Sequence, residues 1–195
     1  MGCASSDEPE AGRSSAPSAV PRDARVLVAY FSRAGENYHY GGRRVLEVGN
    51  TEVLVGLIRD RIACDVYRIE AAEPYSEDYD DTVARNVREQ DADARPAIAN
   101  PLPDIADYDV VLLGSGLWNV RPPMIMRTFA EDLDFTGKTV LPVVTYAVSG
   151  IGGAPDEYTE ACPGATIGDG LAVRGEEVRD AGVAVTSWLR RVDLR

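Results

Sequence analysis

The sequence predicts an α/β domain built on a doubly wound sheet of five parallel strands. Short apolar runs alternate with segments of helical periodicity along most of the 195 residues. Such alternation favours right-handed crossovers between parallel strands. The run Asp109–Gly114 is apolar almost throughout, as in a strand that is covered on both faces. Both observations indicate a buried parallel sheet with helices on either side.

Each element has a local signal. In the first helix, the spacing of Val53, Leu54, Leu57 and Ile58 predicts one apolar face. The third helix follows Pro122-Pro123, and proline is well suited to the first turn of a helix. The predicted strands are Arg25–Phe31, Asp65–Ile69, Asp109–Gly114, Thr139–Thr145 and Gly170–Val173. The predicted helices are Asn50–Ile62, Asp80–Gln90, Met124–Asp132, Ala154–Cys162 and Glu176–Arg191.

Two connections are also predicted from composition. The segment Ala92–Asp107 contains three prolines and is expected to be a long loop. The acidic connection Glu70–Asp81 is expected to be a solvated surface, and the charged helix Asp80–Gln90 is expected to be mostly exposed to solvent. Neither segment is predicted to contribute to a site.

The N-terminal residues 1–24 differ from the domain 25–195. They are rich in Ser, Ala and Pro without apolar periodicity, and we expect a flexible tether. Cys3 follows Met1-Gly2, as in a bacterial lipoprotein junction or, with lower weight, an N-myristoylation pattern. Two localisations therefore stay open: a cell-envelope lipoprotein held to the membrane only by a lipid on Cys3, or a cytoplasmic protein with a polar tail.

Charge and cysteine content exclude several classes. The net charge of −12 disfavours nucleic acid and anionic membranes and favours partners with basic patches. Cys64 opens the predicted second strand and Cys162 precedes the predicted fifth, and these strands are expected at opposite edges of the sheet, too far apart for a disulfide. The chain has one histidine, His39, and no CxxC motif, so we expect no metal site.

Ligands of open parallel sheets bind beyond the carboxyl ends of the strands. The first such loop is Ser32-Arg33-Ala34-Gly35, which is completed by Gly49-Asn50-Thr51 at the start of a helix. Hydroxyl groups, a guanidinium and a helix N-terminus suit a phosphate monoester. Two alternatives to phosphate binding stay open for single residues. Asn50 could only cap the helix, and Arg33 could be a solvated surface arginine.

Two further loops carry aromatic rings. One is Ser115-Gly116-Leu117-Trp118-Asn119, and the other runs from Thr145-Tyr146-Ala147 through Ser149-Gly150 to Gly152. A flat ring with polar edges fits between two such loops. For Trp118 we favour a position that faces the ring of the ligand over a position in the core. For Tyr146 two positions stay open: stacking on that ring, or covering the loop from outside.

Competing motifs fail on spacing. Gly137-Lys138-Thr139 resembles the end of a Walker A motif, but Asp132 stands where glycine is required. Gly150-Ile151-Gly152 is followed by Pro155 where a dinucleotide fingerprint has Gly or Ala. A serine hydrolase needs a histidine after its nucleophile, and the chain offers only His39. We assign no catalytic acid or base.

Taken in order, these segments resemble the flavodoxin-like family from Arg25 to the C-terminus. The motifs that carry the resemblance are Phe31-Ser32-Arg33, Gly49-Asn50-Thr51, Pro74–Tyr79, Leu117-Trp118, Phe135–Thr139, Ser149–Gly152 and Cys162–Ala165. The resemblance implies a three-layer sandwich with strand order 2-1-3-4-5 and one non-covalent FMN. It places the phosphate on Ser32, Arg33, Asn50 and Thr51, beside Gly49, and the isoalloxazine between the Trp118 and Tyr146 loops.

One departure from the family pattern is the insertion of Glu36–Val48 between the two halves of the phosphate loop. We expect a small hairpin with a Gly41-Gly42 turn, which would lie beside the flavin. His39 is expected on its surface.

Three functions stay open. The first is electron transfer or flavin-dependent reduction, with a basic redox protein or a small molecule as partner. The second is an NAD(P)H-dependent quinone or nitro-compound reductase. The third is a flavin-free module that binds another phosphate ligand. In the first two the chemistry belongs to the flavin, and the negative charge of the protein should lower the flavin's reduction potential.

Overall fold

The computed structural model describes residues 23–194. Residues 1–22, which include Cys3, lie outside the described part, so the tether and its lipidation stay predictions. The strands are β1 Val26–Tyr30, β2 Gly35–His39, β3 Gly42–Leu46, β4 Asp65–Arg68, β5 Val110–Gly116, β6 Thr139–Tyr146, β7 Thr166–Ile167 and β8 Leu171–Arg174. The helices are α1 Asn50–Arg59, α2 Tyr79–Asp91, α3 Met124–Glu131, α4 Ala154–Ala161 and α5 Gly182–Arg191, and a 3₁₀ helix spans Gly175–Asp180.

The main sheet is parallel and confirms the predicted order. It runs β4-β1-β5-β6, and β7 and β8 both pair with β6 and share the fifth position. In the centre, Leu112 of β5 stands between Val28 of β1 and Leu141 of β6. The predicted fifth strand, Gly170–Val173, corresponds to β8, whereas β7 is an additional two-residue strand that the sequence analysis did not predict.

Two apolar clusters cover the faces of the sheet and make a three-layer sandwich. Helices α1 and α5 cover one face, where Leu54, Ile58 and Trp188 are fully buried. Helices α3 and α4 cover the other face, where Phe129 and Tyr158 are buried. This arrangement leaves the carboxyl ends of β1, β5 and β6 at one edge, where the loops predicted to bind a ligand emerge.

The insertion forms the predicted hairpin with a shifted turn. Strands β2 and β3 pair antiparallel as a separate two-stranded sheet. The turn residues are Tyr40 and Gly41, both with positive φ, instead of Gly41 and Gly42. Two consecutive positive φ values match the type I′ turn that suits a two-residue hairpin, and this turn requires the pairing of His39 with Gly42.

Other boundaries differ at helix ends. Helix α1 ends at Arg59, three residues before the predicted end, and the predicted closing helix is divided into a 3₁₀ helix and α5 around Ala181. Cys64 and Cys162 are both free thiols, and burial raises the pKa of Cys162 to about 12. No helix within residues 23–194 is long and apolar enough to cross a membrane.

Candidate functional site

A cavity of about 380 Å³ opens at the carboxyl edge of the sheet, within the ~300–1,000 Å³ range of small-molecule sites. The predicted residues in its wall are Ser32, Arg33, Asn50, Thr51, Gly116, Leu117, Trp118, Asn119, Thr145, Tyr146 and Ala147. The structure therefore brings the three predicted loops together around one space.

The first loop and the start of α1 form a tight cradle. Ser32 Oγ accepts a hydrogen bond of 3.2 Å from the backbone N–H of Glu52 and so caps α1 from outside the helix. A Cβ on Gly49 would lie 2.3 Å from Ser32 Oγ, so only glycine allows this approach. The backbone N–H groups of Asn50 and Thr51 have no acceptor among residues 23–194. The cradle thus presents free donors at a helix N-terminus, where anions bind.

Thr51 also ties the cradle to the third loop. Its hydroxyl lies 2.9 Å from the hydroxyl of Thr145 at the end of β6, and both residues are buried. The first and third loops are therefore held at a fixed separation by a side-chain hydrogen bond that solvent does not reach.

The structure places the Arg33 guanidinium on backbone oxygens. It donates to the carbonyls of Ser76 at 2.9 Å and Glu77 at 3.1 Å, and to the carbonyl of Glu36. Burial lowers the pKa of Arg33 from its ordinary value, and the nearby Glu36 opposes that effect. Both Nη groups of Arg33 thus donate to backbone oxygens, and Arg33 clamps the base of the hairpin to the segment before α2.

An aromatic cluster supports the second loop. The ring of Trp118 lies edge-on to Phe31 at 5.7 Å and to Tyr75 at 5.0 Å. Tyr75 belongs to the connection that the sequence predicted to be solvated, but its ring packs on Phe31 and its hydroxyl donates to Glu89 at 2.8 Å. Most of the connection is exposed, as the sequence predicted, but Tyr75 is half-buried because it packs on aromatic partners that are distant in the sequence.

The aromatic cluster makes stability sensitive to alkaline pH. Burial raises the pKa of Tyr75 far above its ordinary value, and the hydrogen bond to Glu89 adds to this effect. Outside the cluster, burial also raises the pKa of Tyr158. A raised folded pKa contributes stability that is complete below the unfolded value of about 10 and is lost as pH rises above it. We expect the urea midpoint to fall from pH 10 to pH 11.5 and to fall less in Tyr75→Phe. Equal slopes for the two proteins would contradict this assignment.

The second loop ends in a strained turn. Trp118 and Arg121 exchange backbone hydrogen bonds, and the residues between them, Asn119 and Val120, both have positive φ. Positive φ is rare for a β-branched residue such as Val120. Gln90 of α2 braces the turn, because its side chain donates to the Trp118 carbonyl and accepts from Asn119 Nδ2.

Five predicted residues lie outside the cavity wall. Gly49 lies behind Ser32, and Ser115 is fully buried at the end of β5. Ser149, Gly150 and Gly152 form a turn that packs on the second loop, since a Cβ on Gly152 would lie 2.4 Å from the Val120 carbonyl. These residues shape the loops from behind, and a direct contact with a cofactor stays a prediction for them.

Sequence reasoning missed two walls of the cavity. One is α2, which contributes Tyr79, Thr82, Val83, Asn86 and Val87. Their i, i+3, i+4, i+7 and i+8 spacing is a helical face that the many charges of α2 obscured. Asn86 is 2% exposed, and its Oδ1 has no donor among the described residues.

The other missed wall is the segment after β8; the hairpin lines the cavity where the sequence analysis expected it, although none of its residues was assigned to the site. Asn37 and Tyr38 of β2 line the cavity, and so do Gly175 and Glu176. The rule that ligands bind at carboxyl ends of strands could have identified Gly175 and Glu176, because they directly follow β8. Phe31, at the end of β1, could have been found in the same way.

Comparisons with known proteins agree with this fold. A provisionally described flavoprotein from Bacteroides eggerthii DSM 20697 is 27% identical, covers 89% of this chain and all (100%) of its own, and superposes with a TM-score of 0.71. A second such flavoprotein, from Bacteroides uniformis ATCC 8492, is 29% identical and superposes with a TM-score of 0.67. The match covers 86% of this chain and 98% of the Bacteroides uniformis chain.

A more distant structure is that of a flavoprotein in complex with FMN from Lactobacillus acidophilus NCFM. It is 16% identical and shares the fold, with a TM-score of 0.59. The match covers 80% of this chain and 97% of the Lactobacillus chain. The comparison with curated proteins gives no match. A family model described as flavodoxin matches residues 25–192, which is almost the whole described chain. The protein therefore belongs to the flavodoxin family.

Proposed function

We propose that the protein binds one FMN non-covalently in this cavity and uses it to transfer electrons or to reduce small acceptors. The observation that carries the proposal is the cradle at α1: the Asn50 and Thr51 N–H groups lack acceptors in the described chain, directly beside the Ser32 hydroxyl. A phosphate monoester supplies the missing acceptors.

The rest of the cavity fits the ring of the cofactor. Trp118 and Tyr146 both lie in the wall, on loops that are joined by a hydrogen bond of 2.9 Å from the Leu117 N–H to the Thr145 carbonyl. Trp118 is fixed by its aromatic neighbours and by Gln90, so it presents a preformed aromatic surface to a flat ligand. Family membership supports the same ligand.

When bound, the flavin supplies the redox chemistry, and the chain supplies orientation and electrostatics. The net charge of −12 disfavours added negative charge in the site. We therefore expect a reduction potential below that of free FMN. A spectroelectrochemical titration of the holoprotein measures it.

The partner is proposed from the surface around the cavity. Val83, Val87, Val120 and Val148 are exposed and lie in the wall or next to it in the chain. Exposed apolar groups at the mouth of a site suit transient contact with an acceptor. The acidic surface favours a redox protein with a basic patch over an acidic one.

The first test is a titration with FMN. We expect the purified protein to be yellow or to quench the fluorescence of added FMN at one equivalent, with a rise in melting temperature. A protein that neither quenches FMN nor gains thermal stability would overturn the proposal and favour a flavin-free module. Steady-state oxidation of NADPH with a quinone then separates a direct reductase from a carrier that depends on a partner protein.

Asn86→Leu gives a more specific prediction. The variant removes a buried oxygen that lacks a donor in the described chain, and an unsatisfied buried polar group costs about 1–3 kcal/mol. We expect the FMN-free variant to be as stable as the wild type or more stable, and to bind FMN more weakly. Thermal melts with and without FMN measure both effects, and a large loss of stability without FMN would contradict the prediction.

A further inference from the structure

A carboxylate lies in the cavity wall with one oxygen unused. Glu176 follows β8 in the 3₁₀ helix, and its Oε1 accepts a hydrogen bond of 2.9 Å from the backbone N–H of Tyr40 at the tip of the hairpin. Its Oε2 is shielded from solvent and has no donor among the described residues. A buried carboxylate oxygen without a donor is costly, so its retention in a cavity wall indicates a donor on the ligand.

The position of this carboxylate relative to the cradle is fixed by contact. Gly175 packs against the first residue of α1, since a Cβ on Gly175 would lie 2.5 Å from Asn50 Nδ2. The cavity therefore has a donor end, made by the Asn50 and Thr51 N–H groups, next to an acceptor provided by Glu176. A ligand that matches this order carries an anion followed by hydroxyl groups.

We propose that Glu176 binds the hydroxyl groups of the ribityl chain of FMN, an inference that rests on the proposed function. A carboxylate accepts hydrogen bonds and donates none, so it suits hydroxyl donors and repels the phosphate. This charge fixes the direction of the ligand, with its phosphate on α1 and its polyol beside Glu176. Because Oε1 holds Tyr40, the same side chain also keeps the hairpin tip beside the bound chain.

The experiment is a cycle of two proteins and two ligands. The ligands are FMN and a 5-phosphopentyl flavin, which keeps the ring and the phosphate but lacks the side-chain hydroxyl groups. Wild-type protein should bind FMN at least about tenfold more tightly than the analogue, as expected for hydrogen bonds to a charged group. Glu176→Ala should remove most of this difference by weakening FMN alone.

The control is Glu177→Ala, because Glu177 is the exposed neighbour of Glu176 and lies outside the cavity wall. It should bind both flavins as the wild type does. If Glu176→Ala weakened both flavins equally, the residue would only hold the hairpin, and the inference would be overturned; unchanged binding would overturn it as well. A wild-type protein that bound neither flavin would overturn the proposed function itself and, with it, this assignment.

Discussion

Gly49→Ala is expected to weaken FMN binding by about 100-fold, which corresponds to the loss of about one hydrogen bond to a charged group. The added Cβ would lie 2.3 Å from Ser32 Oγ and 2.5 Å from the Arg33 carbonyl, both below contact distance. The loop must therefore move away from α1, and the free N–H groups lose their geometry. Overpacking of this kind costs about 1–3 kcal/mol of stability. Fluorescence titration and urea denaturation measure the two effects.

Gly56→Ala is the matched control. Gly56 lies inside the same helix, and a Cβ there meets no other atom within 4 Å. Alanine in a helix interior is favoured over glycine by about 0.5–1 kcal/mol, so this variant should be slightly more stable and bind FMN normally. If Gly49→Ala bound FMN as tightly as Gly56→Ala, the cradle would not be the phosphate site.

Arg33→Ala is expected to lower the free energy of unfolding by about 2–4 kcal/mol even without FMN, because hydrogen bonds to charged groups contribute roughly 1.5–3 kcal/mol each. The guanidinium joins the Glu36 carbonyl of the hairpin to the Ser76 and Glu77 carbonyls before α2. Its removal should also speed proteolysis within the hairpin. Urea denaturation of the FMN-free protein and limited proteolysis test this role.

The control for charge is Arg44→Ala. Arg44 is an exposed residue of β3 whose side chain makes no hydrogen bond or ion pair to a described residue, so its loss should change stability by less than about 0.5 kcal/mol. A variant Arg33→Ala that keeps full stability and loses only FMN affinity would instead support the phosphate contact expected from the sequence.

The sheet was predictable because each strand carries its own signal. Val26–Tyr30 and Val110–Gly116 are apolar runs at the centre of the sheet, and alternation with helices leaves few topologies. The cradle was predictable for the same reason, since Ser32 closely follows a strand and Asn50 begins a helix. Local pattern and global fold agree at these positions.

The α2 wall was not predictable from charge pattern alone. Asp80, Asp81, Arg85 and Arg88 give α2 a polar sequence, and its cavity face is recognisable only once the hairpin and the second loop are in place. The role of Arg33 likewise depends on the carbonyls of Ser76 and Glu77, which lie 43 and 44 positions further along the sequence. Contacts at such separations leave no periodic trace in the sequence, whereas strands and helices do.

Gly49 contacts Arg33, and this contact determines how freely the length of the segment between them can change. The chain leaves the cradle at Arg33 and returns to it at Gly49, with the two ends touching. For a segment whose ends already meet, doubling its length costs only about 0.6 kcal/mol of closure entropy. The closure therefore places little constraint on the length of this segment. We expect a shorter or longer segment grafted between Arg33 and Gly49 to preserve the cradle while it changes the part of the cavity wall that Asn37 and Tyr38 provide.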